Sequence, residues 1–180
     1  MHRTLKRIRH DERGVAAVEF ALLAPIMILL YCGLAELTIA MMAERRAAHS
    51  ASVVADLVAQ QTNGTNITDL GDIFTIGNSI MYPFPTGSLK MRLTSVVADN
   101  NAVPKMAWSL GHGLTKMGAG TVAGVPVGLL AAGDSVIQAD VQYTFTSPLK
   151  YVMHNDVTFN DTYYLKPRSG TAVACSDCPP

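Results

Sequence analysis

GVAAVEFALLAPIMILLYCGLAE, residues 14–36, is the stretch on which the reading of this chain turns. Its inner part, Phe20 to Ala35, is sixteen residues without a charge. Val15–Val18 before it and Leu37–Ala43 after it extend the apolar run to nearly thirty residues, interrupted only by Glu19 and Glu36. A spanning helix needs about 20 mostly apolar residues, so this run is long enough, with both carboxylates near the edges of the hydrocarbon. Pro25 removes one backbone hydrogen bond and is expected to kink the helix, which bilayer helices tolerate. A carboxylate at the membrane is costly and usually has a function. Glu19, five residues past Gly14, therefore calls for an explanation.

The flank before the run is basic. The first thirteen residues hold Arg3, Lys6, Arg7, Arg9 and Arg13 against Asp11 and Glu12. A short basic patch that leads into an apolar run reads as a topogenic flank. It would stay cytoplasmic, so the carboxy-terminal bulk would face outward. The chain has 180 residues, 49% apolar and 16% charged, with a formal net charge of zero. That length suits one modest domain plus an anchor. Zero net charge gives no global field to draw in nucleic acid, and no nucleic-acid partner is expected.

Three processing routes compete at this segment. A signal peptidase cut after Gly33-Leu34-Ala35 fits the basic flank, but the apolar region is long and helical patterning continues past the site. Lipoprotein processing at Cys32 needs a small residue just before the cysteine, and Tyr31 stands there. A cut after Gly14, before the apolar segment, is the route that explains Glu19.

The residues around that third site resemble a known family. A basic leader, Gly14, then Val15-Ala16-Ala17-Val18-Glu19-Phe20 looks like a type IV prepilin. The wider stretch is closer to the TadE-like pseudopilins of the tight-adherence (Flp) pilus, with their pattern RG-x-x-x-VEFA, an early proline, Gly-Leu-x-Glu and an Ala-rich helix. Here these are Arg13-Gly14, Val18-Glu19-Phe20-Ala21, Pro25, and Gly33-Leu34-Ala35-Glu36 with the helix that follows. The resemblance covers residues 13–62 and is looser beyond.

The resemblance implies a minor pilin or pseudopilin needed for assembly or adhesion of such a pilus. A prepilin peptidase would cut between Gly14 and Val15. Glu19, with Phe20 beside it, would serve assembly, the Glu19 carboxylate pairing with the free amine of a neighbouring subunit. Such pairing offsets the desolvation of both charges and sets register between helices. The implied partners are the peptidase, other major and minor pilins, and the inner-membrane assembly platform. The implied location is the inner membrane, single-pass, amino terminus cytoplasmic and carboxy terminus periplasmic, with passage to a surface pilus. Two rivals stand beside this reading: an uncleaved bitopic scaffold of the secretion machinery, and a secreted adhesin-like domain released after Ala35.

Beyond the membrane, residues 36–61 hold no Gly or Pro. Ala40, Ala43, Ala47, Ala51, Val54 and Val58 recur at helical spacing. Span and stripe together predict one helix of about 45 residues, roughly 65–70 Å long, within a segment 15–62. Residues 61–66 are a polar break. A second helix is expected over 67–81, capped by Asn66 or Thr68, with Gly71 and Gly77 as weak points. The period then changes to two: Leu89–Ser95, Met106–Leu110, Val136–Thr146 and Val157–Leu165 read as strands. The expected fold class is α+β, a long amino-terminal transmembrane helix continuing into an extracytoplasmic domain, 63–180, with about four antiparallel strands packed on helix. The resemblance implies the same pilin-like architecture.

Residues 111–133 hold seven glycines, but neither a dinucleotide fingerprint nor a P-loop; a mobile or partner-facing surface loop is expected there. The tail 170–180 carries Cys175 and Cys178 as CSDC, which supplies only two of the four ligands zinc wants. A local disulfide or two free thiols remain the readings of that pair. Neither G-x-S-x-G nor H-E-x-x-H occurs, so no catalytic residue, metal or cofactor is expected, and the protein is not expected to be an enzyme.

Overall fold

The computed structural model describes residues 14–118, 124–126 and 128–178. The basic leader before Gly14 lies outside the described residues, as does Gly120 of the 111–133 segment. The element order is α1 (Val15–Ala59), α2 (Ile67–Ile80), β1 (Leu89–Ala98), β2 (Pro104–His112), β3 (Ser135–Phe145) and β4 (Val157–Leu165). The protein is α+β, a long apolar helix followed by a four-stranded antiparallel sheet packed against helix. Two compact units divide it: Met1–Ile39 with Ser147–Asn155, and Ala40–Thr146 with Asp156–Pro180. The helix α1 contributes to both.

In the first unit, α1 runs through Pro25 without an assigned break. Its most apolar window has none of its residues buried within the protein. Phe20, Leu22 and Ile28 are 73%, 68% and 63% exposed. An apolar surface this continuous is not stable against water and requires a non-aqueous neighbour.

In the second unit, all six residues of the predicted stripe, Ala40, Ala43, Ala47, Ala51, Val54 and Val58, are buried. Small side chains let α2 approach closely. A Cβ added at Gly77 would lie 2.8 Å from Val54 Cγ2 and 2.9 Å from Met91 Sδ. The glycine that weakens the helix by propensity is thus required by packing. Ser50 Oγ donates to the Gly77 carbonyl at 2.9 Å across the same contact. Asn66 caps α2: its Oδ1 accepts from the Asp69 N–H at 2.8 Å, and its amide donates back to Asp69 Oδ2 at 2.9 Å. Such a cap satisfies a helix donor that has no intrahelical partner. At the end of α1 the Ala59 carbonyl accepts from the Arg168 N–H at 2.9 Å.

The strand order is β2-β1-β3-β4, with every pairing antiparallel. Pro104, which lacks an N–H, opens edge strand β2, where a missing ladder donor costs least. The face that bears Met91 meets the helices; Leu93, Ala139, Val141 and Tyr143 alternate onto it and are buried.

The opposite face is not left to solvent. Val96, Ala98 and Val136 form a second small core with Leu130, against which Met117, Val125, Leu129 and Tyr164 pack. Met117, Val125, Leu129 and Leu130 of this core belong to the 111–133 segment, the expected mobile or partner-facing surface loop. Its flanks cover the sheet because they carry apolar residues that need burial, and Gly111 and His112 belong to β2. Beside that core lies a polar row. Arg92 Nε and Nη2 reach Asp140 Oδ2 at 2.9 and 2.8 Å. Gln138 and Thr162 donate to Asp140 Oδ1 at 3.0 and 2.8 Å. A buried carboxylate needs that many partners to offset lost hydration.

The tail is docked rather than loose. Trp108 Nε1 donates to the Val173 carbonyl at 2.8 Å. The Thr65 N–H donates to Ala174 O at 2.8 Å, and the Ser176 N–H to Thr65 O at 3.1 Å. Val173 is buried.

Candidate functional site

The candidate site begins where the helix begins. Gly14 directly precedes Val15, the first residue of α1, and both are exposed. A Cβ added at Gly14 would meet no described atom within 4 Å. Packing of the described residues therefore gives no reason for a glycine here. Glu19 lies one turn further on, exposed between Val18 and Phe20, which are 60% and 73% exposed. The Glu19 side chain has no hydrogen bond or ion pair among the described residues. The structure thus brings Gly14, Val15, Glu19 and Phe20 together on the first turns of one helix. It presents them outward, to whatever surrounds that helix.

The second carboxylate of the run is treated in the opposite way. Glu36 is fully buried. Its Oε1 accepts from the Tyr151 N–H at 2.7 Å, and its Oε2 from the Val152 and Met153 N–H groups at 3.0 and 2.7 Å. Three successive backbone N–H groups converging on one anion form a concave cradle of the kind that binds phosphate elsewhere. Charge-assisted bonds of this kind are roughly twice as strong as neutral ones. Next to it, a Cβ at Gly33 would lie 3.2 Å from Val152 Cγ2, so the small residue admits the connection. The Gly33-Leu34-Ala35-Glu36 pattern is therefore a docking point for the chain between β3 and β4. Sequence reasoning missed this role. The partners of Glu36 are main-chain groups 115 to 117 residues away, and main-chain donors leave no mark in a sequence.

Cys175 and Cys178 are disulfide-linked, with a Cα–Cα distance of 5.4 Å. Asp177 gathers with them, but a disulfide offers no thiolate to a metal. The Asp177 carboxylate instead accepts the Ile67 N–H at 2.9 Å, at the first residue of α2, where an N–H is free and the helix dipole favours an anion. Cys32 is a half-buried free thiol.

Residues 14–56 match the family model described as TadE-like protein. That amino-terminal segment is similar to TadE-like proteins. The match starts at Gly14 and ends within the buried part of α1. No curated protein and no solved structure matches the chain. The similarity of that segment is consistent with a pilin-like protein associated with the tight-adherence pilus. Among the described residues one helix, α1, is long and apolar enough to cross a membrane, which fits a single-pass membrane protein.

Proposed function

We propose that this TadE-like chain is a minor pilin or pseudopilin that serves assembly or adhesion of a tight-adherence pilus. It enters the inner membrane with its basic leader in the cytoplasm and its sheet domain in the periplasm. A prepilin peptidase cuts between Gly14 and Val15. The new Val15 amine and the Glu19 carboxylate of adjacent subunits then pair, which offsets the cost of holding either charge among apolar helices. The chain is a substrate of the peptidase and a structural partner of other pilins and the assembly platform, not an enzyme.

The observation that carries this reading is the coincidence at one residue. The family match, the helix and the unexplained glycine all start at 14–15, and Glu19 is exposed on the turns that follow. Two further features support it. The Cys175–Cys178 disulfide suits an oxidising compartment. Release after Ala35 would cut the middle of a continuous helix, one residue before the buried Glu36.

The test is the amino-terminal residue of the mature protein from membrane and pilus fractions. Val15 is expected; Glu36 would mean a released domain, and an intact Met1 an uncleaved scaffold. The substitution Glu19→Ala is expected to leave cleavage intact and to abolish incorporation into pili. Normal pili from that variant would refute the pairing.

A further inference from the structure

The first unit carries an apolar surface that neither the span nor subunit pairing uses. In the connection between β3 and β4, Leu149, Tyr151 and Val152 are 45%, 69% and 49% exposed, and Lys150 among them is exposed as well. Three large apolar side chains within four residues are unusual for a loop that faces water. The connection is also held in place. Glu36 takes the N–H groups of Tyr151, Val152 and Met153, and Val152 lies against Gly33. Residues 151–153 are therefore fixed beside the helical turn 33–36.

That turn has a defined height. Val15–Ala35 is 21 residues, about 31 Å of helix at 1.5 Å per residue. A bilayer hydrocarbon core is about 30 Å thick. When Val15 stands at one edge, Ala35 stands at the other, and the fixed connection lies at that second edge. Tyrosine, apolar along its ring and polar at its tip, is enriched at this level of a membrane. A lysine beside it can keep its ammonium among phosphates while its stem lies on apolar surface.

We propose that the β3–β4 connection is a membrane-interface foot, in which Leu149, Tyr151 and Val152 enter the headgroup–acyl boundary beside the exit of α1. The foot rests on the reading of α1 as a membrane span. Its occupant is the lipid surface, because the exposed side chains are continuous with the exposed apolar face of α1 through the Gly33–Val152 contact. Glu36 is the clamp. Its carboxylate persists at the hydrocarbon edge because the foot's own N–H groups replace water around it.

The full chain contains one tryptophan, Trp108, which is buried in the second unit. It supplies a background that a new indole can be read against. The Tyr151→Trp and Leu29→Trp variants are reconstituted in phosphatidylcholine–phosphatidylglycerol vesicles brominated either near the headgroup or deep in the acyl chains. The indole introduced at position 151 is expected to lose emission chiefly to the shallow bromines, and the one at position 29 to the deep ones. Adding Glu36→Ala to Tyr151→Trp is expected to relieve the shallow quenching while Trp108 emission holds.

Quenching at 29 without quenching at 151 would overturn the foot and leave the span standing. Absence of both would overturn the span and the foot together. An indole at 151 that is shielded from acrylamide yet insensitive to bromines would mean contact with another copy, and would also overturn the proposal. Shallow quenching unchanged by Glu36→Ala would remove Glu36 from its clamping role.

Discussion

Glu19 and Glu36 are the same residue type, 17 positions apart in one apolar helix, yet they meet opposite fates. Glu19 is exposed, and its side chain has no partner among the described residues. Glu36 is enclosed, and three main-chain donors meet its charge. A third acid shows the same logic at a turn. Asp99 Oδ1 accepts the Asn101 and Val103 N–H groups, each at 2.9 Å, and Lys105 Nζ lies 3.1 Å from Oδ2. These contacts, the Val103 N–H first, hold the Asp99 carboxyl below its ordinary value against a smaller opposing effect of burial. The ordinary aspartate value is about 3.9. A depressed carboxylate contributes stability that is present above that value and is lost as pH falls through its lower folded value. Acid titration followed by the Asn101 and Val103 amide resonances should therefore show a midpoint below the ordinary aspartate range. Asp99→Asn should abolish it. A midpoint at or above the ordinary range would mean that the turn does not favour the ionised form.

At the scale of elements, α2 provides an internal comparison between two glycines. Gly71 has open space where a Cβ would stand, whereas Gly77 is pressed against Val54 and Met91. Helix propensity alone makes Gly→Ala favourable by roughly 0.5–1 kcal/mol. Overpacking in a filled core costs typically about 1–3 kcal/mol, so at Gly77 packing wins. Gly71→Ala is expected to raise the denaturation midpoint of the detergent-solubilised chain and Gly77→Ala to lower it, as followed by Trp108 fluorescence. Equal shifts in the same direction would mean that α2 does not sit this close to α1 and β1. The elements themselves were largely legible from the sequence. The stripe Ala40–Val58 shows the period of a helix with one buried face, and Leu89–Ser95 the period of a strand. The cap was legible as a choice between Asn66 and Thr68, and the fold selects Asn66. The necessity of Gly77 was not, because propensity sees only the helix that contains it.

Across the whole molecule, the carboxy-terminal tail ties distant parts of the second unit together. Val173 accepts from Trp108 of β2, Ala174 and Ser176 bond Thr65, and Asp177 caps α2. The Cys175–Cys178 disulfide closes the turn that carries Asp177. In the chain-entropy account, so short a loop is worth about 2 kcal/mol, and a lost cap adds about 1 kcal/mol. Paired Cys175→Ser and Cys178→Ser substitutions are expected to destabilise the domain by up to about that sum. They should also shift Trp108 emission to the red, since its indole N–H partner sits in the same tail. Unchanged stability and emission would mean that the tail docks independently of the disulfide.

The sequence by itself determined the membrane-length helix, its continuation as an Ala-rich stripe, the α+β class and the TadE-like pattern at Gly14–Glu19. Each is a local matter of composition, period or spacing, written in consecutive residues. The tertiary structure alone decided the strand order β2-β1-β3-β4, the covering of the outer sheet face by Met117, Val125 and Leu130, the docking of the tail, and the clamp at Glu36. These depend on contacts between residues far apart in the chain, several of them made by backbone N–H and C=O groups that every residue shares. For that reason Glu36, in the sequence a second charge at the end of an apolar run, is in the folded protein the residue that holds the β3–β4 connection.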